Sequence, residues 1–188
     1  MESTARRLGL PISVNLSTRD LQDPQLADDF AEQLAVHRAP PGWLELEITE
    51  SAVMVDAAAG LDMLHRLSGM GLKLSIDDFG TGYSSLAYLK KLPVQAVKID
   101  KSFVMGMAND ENDRAIVNTG IDLAHNLGLQ VVGEGVDEEE MLRHLRKRGC
   151  DVAQGHYISR PLRLEELVEW LQKSSWANGA VALRTQAQ

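Results

Sequence analysis

Residues 73–82 read Lys73-Leu74-Ser75-Ile76-Asp77-Asp78-Phe79-Gly80-Thr81-Gly82. A short β-rich run, Lys73–Ile76, ends in two adjacent carboxylates. The loop Asp77–Gly82 follows and leads into a short helix at about Ser84–Lys90. The same arrangement, an apolar run closed by a polar group, recurs along the chain. Further strands are expected at Ile12–Leu16, Leu44–Ile48, Val94–Ile99, Gln130–Gly133 and, shorter, Asp151–Ala153. At or just after the C-terminal ends of the runs lie Asn15, Glu47, Asp77 and Asp78, Lys98 and Asp100, Glu134 and Gln154.

Helix-period segments separate these strands. One is expected at about Pro24–Ala35, with Asp23 as cap, Pro24 in the first turn and Leu26, Phe30 and Leu34 on one face. Asp56 caps another that carries Leu61, Leu64 and Leu67 and ends at Gly69 or Gly71. A third spans about Asn112–Leu127 and stops at Gly128; Glu138–Arg148, acids first and bases last, closes at Gly149. Arg163–Lys173 is the final amphipathic helix, and the stretch after Trp176 loses period. The expected domains are 1–175, a partial barrel, and a flexible tail at 176–188.

Strands alternating with helices imply a parallel sheet with helical crossovers. A doubly wound sheet and a (β/α)₈ barrel both meet that pattern, and the polar residues choose between them. In a barrel, every strand C-terminus converges on one rim, so all of these groups reach one site. In an open sheet, the outer strands lie too far from the switch point to contribute. The expected fold is therefore α/β, of the TIM-type (β/α)₈ kind. Such a barrel takes about 250 residues and eight strands, whereas these 188 residues offer six.

Composition narrows the function. With 44% hydrophobic and 24% charged residues, the chain suits one folded domain. Its 19 basic against 27 acidic residues give a net charge of −8, a poor general surface for DNA. A phosphate-bearing substrate would then need a bound metal to attract it. The single cysteine, Cys150, excludes a disulfide framework and fits a reducing compartment. No apolar run approaches the roughly 20 residues of a membrane helix, and no secretory signal is visible, so a cytoplasmic location is expected.

Glu47, Asp77, Asp78 and Glu134, with Asn15 as a neutral donor, form a set of hard oxygen ligands suited to Mg²⁺, Mn²⁺ or Ca²⁺. Gathered at one mouth without cations, such acids would repel one another and raise their own pKa values. Adjacent Asp77 and Asp78 could serve two ions, an arrangement that cleaves phosphodiesters in line. Lys98 could hold a phosphate oxygen or steer the attacking water. Blander readings stand beside these. Asp77-Asp78 before Gly80 could be a turn and helix cap, Asn15 a turn residue, Glu45, Glu47 and Glu50 a half-exposed strand, and Lys98 a snorkelling edge lysine. Singly, each bland reading is the stronger; groups in register at six strand ends favour the site. His37, His65, His125 and His144 show no ligand spacing, and Cys150 reads as a small core residue.

The motifs Val14-Asn15-Leu16-Ser17, Leu44-Glu45-Leu46-Glu47-Ile48-Thr49-Glu50-Ser51, Ile76-Asp77-Asp78-Phe79-Gly80-Thr81-Gly82-Tyr83-Ser84-Ser85-Leu86, Val97-Lys98-Ile99-Asp100, Glu134-Gly135-Val136 and Gln154-Gly155 resemble the bacterial EAL domain from about Pro11 to Leu162. That family contains cyclic di-GMP phosphodiesterases of second-messenger signalling. The resemblance implies Mg²⁺- or Mn²⁺-dependent hydrolysis of cyclic di-GMP to linear pGpG. It further implies that Asn15, Glu47, Asp77, Asp78 and Glu134 are metal ligands, with Asp77 bridging. Lys98 matches the lysine that contacts the attacking water, and Asp100 and Gln154 match further rim positions of the catalytic set. Glu50 matches the glutamate that holds the Asp77–Leu86 loop, which the family uses in metal binding and dimer communication. Possible partners are a second copy of the chain or a fused or associated GGDEF, PAS or receiver domain.

Three departures from the family pattern stand out. Asp137 replaces a glutamate, which makes it a shorter supporting residue behind the ligands. His156 stands where tyrosine is usual, with Tyr157 next. The Glu-Ala-Leu motif, on a strand preceding that of Asn15, is not within these residues, nor is the arginine that follows it. The expectation is an N-terminally truncated domain, with about six of eight strands and one ligand glutamate fewer. The alternative to a phosphodiesterase is a catalytically inactive remnant that binds cyclic di-GMP or regulates.

Overall fold

The computed structural model describes residues 10–82 and 86–176. Six strands form one sheet in sequence order: β1 (Ile12–Leu16), β2 (Leu44–Thr49), β3 (Lys73–Phe79), β4 (Ala96–Ile99), β5 (Gln130–Gly133) and β6 (Val152–Ala153). Every neighbouring pair is parallel. Crossovers between adjacent parallel strands are right-handed, so an order that never reverses keeps all helices on one face. A doubly wound sheet would reverse its order and place helices on both. The arrangement is thus the singly wound arc of a TIM-type barrel. The sheet is open: among the described residues β1 and β6 each pair on one side only.

Register separates the two faces. Asn15 pairs with Glu47, Glu47 with Ser75, Ser75 with Ala96 and Ala96 with Gln130. Paired residues share a face, and alternation sends their sequence neighbours to the other. One face is therefore polar. The other carries Leu46, Ile48, Leu74, Ile76, Val97, Ile99 and Val131, all at most 1% exposed. These pack under the helical layer, against Leu64 and Leu67 of Ala57–Gly69, Val117 and Ile121 of Glu111–Asn126, and Leu145 of Glu139–Arg148. The core lies between sheet and helices, which leaves the concave polar face for chemistry.

Local signals place most elements. The Asp56 side chain accepts from Ala59 N–H at 3.1 Å as expected, and Gly149, at φ 81°, ends Glu139–Arg148 in the left-handed conformation. The second helix starts later than expected, at Leu26 rather than Pro24. Asp23 instead closes a turn on Gln25 N–H at 2.9 Å, and the helix runs on to His37 and stops at left-handed Arg38. β3 continues past Ile76 to Phe79, β4 begins at Ala96 rather than Val94, and β6 at Val152. Three short helices were not foreseen: Thr18–Leu21, Glu50–Met54 and Lys101–Gly106. Each is too short to show a period. They follow β1, β2 and β4 directly and are nucleated by side-chain caps from Ser17, Thr49 and Asp100. Of the helix expected at Ser84–Lys90, residues 86–89 are helical, and Tyr83, Ser84 and Ser85 lie outside the described residues, as does the tail from 177. No helix among the described residues is long and apolar enough to cross a membrane.

Cys150 packs against the core, with Sγ 3.2 Å from Val152 O and 3.5 Å from Val131 O, and burial pushes its thiol up to about 11. Two outcomes follow. Leu64→Ala, at a fully buried position, lowers stability by about 2–5 kcal/mol in urea unfolding. Cys150 in the native protein at pH 8 reacts with a disulfide reagent about two orders of magnitude more slowly than in the unfolded chain, because so little thiolate is present.

Candidate functional site

At the C-terminal ends of the strands the polar face gathers charge. Lys98, on β4 between apolar Val97 and Ile99, points to the concave side and is 4% exposed. It is not a snorkelling edge lysine. Its Nζ lies 2.7 Å from Glu47 Oε2 of β2, 3.3 Å from Asp77 Oδ1 of β3 and 2.6 Å from Glu134 Oε1 just beyond β5. Four adjacent strands thus each supply one member. An ammonium has three donors, and each faces a carboxylate.

The charges do not balance. Three carboxylates surround one cation in a site where all four side chains are at most 16% exposed. Burial disfavours the Lys98 ammonium, but its hydrogen bonds to Glu134 and Glu47 and their charges outweigh that and hold its pKa above the ordinary lysine value. Glu134 is pushed up, chiefly by burial, then by Asp77 and Glu47, against the opposing pull of Lys98.

The second aspartate arrives through a break in β3. Ile76 pairs with Val97, and the next pair is Phe79 with Ile99, so β3 holds one more residue than β4 over this span. Strict alternation would send Asp78 into the core. Instead its backbone is left-handed, at φ 54°, a conformation that aspartate tolerates better than most residues. Asp78 N–H donates to Asp77 Oδ1 at 3.1 Å, and its carboxyl faces Asp100. Burial, then Asp77 and Asp100, raise the Asp78 pKa. Asp100 goes the other way: burial pushes it up, but the Ser102 hydroxyl and the N–H groups of Ser102 and Lys101 outweigh burial and hold it low. Any proton shared by this pair therefore resides on Asp78. Ser102 was not singled out from sequence, although Asp-x-Ser at a helix start is a capping pattern.

Glu50, buried at 8%, lies against the loop after Asp78. A methyl group at Gly82 would sit 2.8 Å from Glu50 Oε1, and that oxygen has no hydrogen-bond partner among the described residues. Its place beside the loop fits the expected holding role. Asn15 is exposed on β1, in register with Glu47. Ser75, also in register with Glu47, adds a buried hydroxyl with no partner among the described residues. Gln154 and Asp137 make their described hydrogen bonds away from the cluster. Gln154 uses its backbone, donating to Gly133 O at 2.9 Å and accepting from Val136 N–H at 3.0 Å. The Asp137 carboxylate accepts from His156 N–H at 3.2 Å and so ties the loop after β5 to the turn after β6.

The donor set fits hard divalent cations. All candidate ligands offer oxygen, the cluster carries excess negative charge, and burial and mutual repulsion already strain Glu134 and Asp78. Among the described residues no group of three or more acidic, cysteine or imidazole side chains is arranged to hold a metal ion as it stands. Lys98 Nζ occupies the centre of the carboxylates.

Comparison with known proteins agrees with this architecture. The family model described as EAL domain matches residues 1–161. The bifunctional diguanylate cyclase/cyclic di-GMP phosphodiesterase MucR of Pseudomonas aeruginosa is 45% identical over 157 residues, which cover 84% of this chain and 23% of that protein. The cyclic di-GMP phosphodiesterase NbdA of the same species is 42% identical over 163 residues, covering 87% and 21%. The chain thus spans less than a quarter of the length of these two relatives. Among solved structures, the MucR phosphodiesterase in complex with cyclic di-GMP superposes with a TM-score of 0.83 at 40% identity, covering 88% of this chain and 71% of that one. The EAL domain of Mycobacterium smegmatis DcpA gives 0.85 at 37% identity, covering 92% and 79%.

The charge imbalance makes a prediction. Lys98→Met leaves three buried carboxylates uncompensated and lowers the stability of the metal-free protein by about 3–5 kcal/mol in urea unfolding with a chelator present. Adding Glu134→Gln to Lys98→Met restores part of that loss. A loss below about 1 kcal/mol, the size of an exposed ion pair, contradicts the assignment.

Proposed function

The chain belongs to the EAL-domain family, and from that premise we propose that it hydrolyses cyclic di-GMP to linear pGpG at the rim centred on Lys98. The observation that carries the reading is the ammonium of Lys98 among Glu47, Asp77 and Glu134 on four consecutive strand ends. The likeness to named cyclic di-GMP phosphodiesterases, and to one solved with that dinucleotide, supports the substrate class.

Asn15, Glu47, Asp77, Asp78 and Glu134 are the residues that would hold two Mg²⁺ or Mn²⁺ ions. Bound ions of this kind supply charge neutralisation and water activation for in-line phosphodiester cleavage. The protein's own residues do the rest. Lys98, kept protonated by its carboxylates, holds a positive charge at the rim, and its N–H groups would turn to the phosphate or the attacking water once those carboxylates engage ions. Asp100, held low by Ser102 and fixed as the cap of Lys101–Gly106, lies against Asp78 and limits where that ligand can turn. Glu50 braces the loop at Gly82, whose lack of a side chain lets the carboxylate approach. Water adds to phosphorus, one ring phosphodiester bond breaks, and the product carries a 5′-phosphate and a free 3′-hydroxyl.

A second reading, binding without turnover, is favoured by the occupation of the carboxylate centre by Lys98. One assay separates the two. Protein incubated with cyclic di-GMP and Mn²⁺ yields pGpG, chelation abolishes it, and Asp77→Asn lowers the rate at least about 100-fold. Saturable binding of cyclic di-GMP with no product at high enzyme concentration assigns the second reading. Turnover that survives both chelation and Asp77→Asn overturns the proposed site.

A further inference from the structure

Away from the rim, the helical layer holds a second concavity. The turn Met107–Ala108 and the helices Glu111–Asn126 and Glu139–Arg148 enclose a cavity of about 320 Å³. That is within the range of small-molecule sites. Three permanent cations line it, Arg114, Arg143 and Lys147, together with His144 and a single acid, Glu140. In a chain of net charge −8 this convergence runs against composition.

These cations are not engaged elsewhere as ion pairs. Among the described residues Arg114, Arg143 and Lys147 have no carboxylate partner. Arg114 is half-buried and fixed: its Nε donates to Met107 O at 2.9 Å and its Nη2 to Ala108 O at 3.3 Å. A guanidinium has five N–H groups, so three remain for a ligand. Arg143 and Lys147 stand one turn apart on the neighbouring helix, exposed and free to close on an anion. His144 Nε2 lies 3.0 Å from Asn118 Oδ1. Its pKa is pushed below the ordinary histidine value by burial and then by Arg114, Arg148 and Lys147, which reports the positive potential of the region. Met107 and Met141 form the buried floor of the cavity.

We propose that this cavity binds a phosphate monoester of a small organic molecule, for which GMP serves as the probe. The phosphate lies among Arg114, Arg143 and Lys147, where a guanidinium fork and two mobile cations match a dianion. The organic body occupies the rest of the cavity, whose volume exceeds what inorganic phosphate needs. The site shares no residue with the rim and does not depend on the function proposed for it.

The test is NMR on the full chain with a chelator present, which keeps divalent ions from the rim. The His144 imidazole signal, assigned by its loss in His144→Gln, is followed against GMP, guanosine and inorganic phosphate. GMP is expected to move it saturably and to raise the His144 pKa by about one unit, since a nearby anion favours imidazolium against Arg114, Lys147, Arg148 and Arg143. Inorganic phosphate binds at least tenfold more weakly, and guanosine leaves the pKa unchanged. Arg143→Glu with Lys147→Glu abolishes the GMP effect; Arg143→Gln with Lys147→Gln, the milder pair, weakens it at least tenfold. The proposal is overturned by the absence of a saturable shift with GMP, by the same shift in the charge-reversed protein with an unchanged melting temperature, or by inorganic phosphate binding as tightly as GMP.

Discussion

One ammonium organises this molecule. Lys98 Nζ meets carboxylates from β2, β3 and the end of β5 at once, so those strands must arrive in one register and with their ends level. A slip of one residue in any of them would turn the carboxylate into the helical layer and a core residue toward the rim. The apolar face enforces the register from the other side, since Leu46, Ile48, Leu74, Ile76, Val97, Ile99 and Val131 have only one way to be buried. Hydrophobic burial and site geometry are thus the same constraint read on opposite faces of one sheet. What the packing does not remove is charge. Three acids and one base leave the site negative, and the strain falls on Glu134, whose burial and neighbours push its pKa up. A site under that strain is prepared for added positive charge.

The irregular part of β3 serves the same end. A regular strand presents every second residue to the rim, which allows Asp77 but not Asp78. One extra residue and a left-handed backbone at Asp78 bring the second carboxyl to Asp100, at the cost of an unfavourable conformation. Beside the loop beyond lies Glu50, a carboxylate buried against Gly82. Strain at Asp78 and a buried acid at Glu50 both lower stability taken alone. They occur side by side at the rim, and the regular core elsewhere offsets them.

Much of this was legible from residue order. Alternating β-rich and helical runs gave the parallel sheet, and a polar group after each strand gave the common rim. The structure separates barrel-type winding from double winding by a feature that no local pattern encodes, a strand order that never reverses. Lys98 between Val97 and Ile99 could be an edge lysine or a buried one, and only the packing of β3 and β5 on either side decides. Asp77-Asp78-Phe79-Gly80 read as a loop because two adjacent acids rarely continue a strand; the bulge that accommodates them appears only in the pairing with β4. Gln154 was placed at the rim by its position after the sixth strand and Asp137 behind the ligands by resemblance; their described hydrogen bonds join the β5 and β6 loops. The short helices after β1, β2 and β4 fell below the length at which periodicity can be seen.

The account stands or falls on where divalent ions settle. Anomalous diffraction at the manganese edge from crystals of the full chain soaked in Mn²⁺ locates them without reference to activity. The account predicts peaks bounded by Glu47, Asp77, Asp78 and Glu134, with Lys98 Nζ displaced from the centre of the carboxylates. Manganese bound only elsewhere on the surface, with Lys98 still seated among Glu47, Asp77 and Glu134 at saturating Mn²⁺, would contradict it.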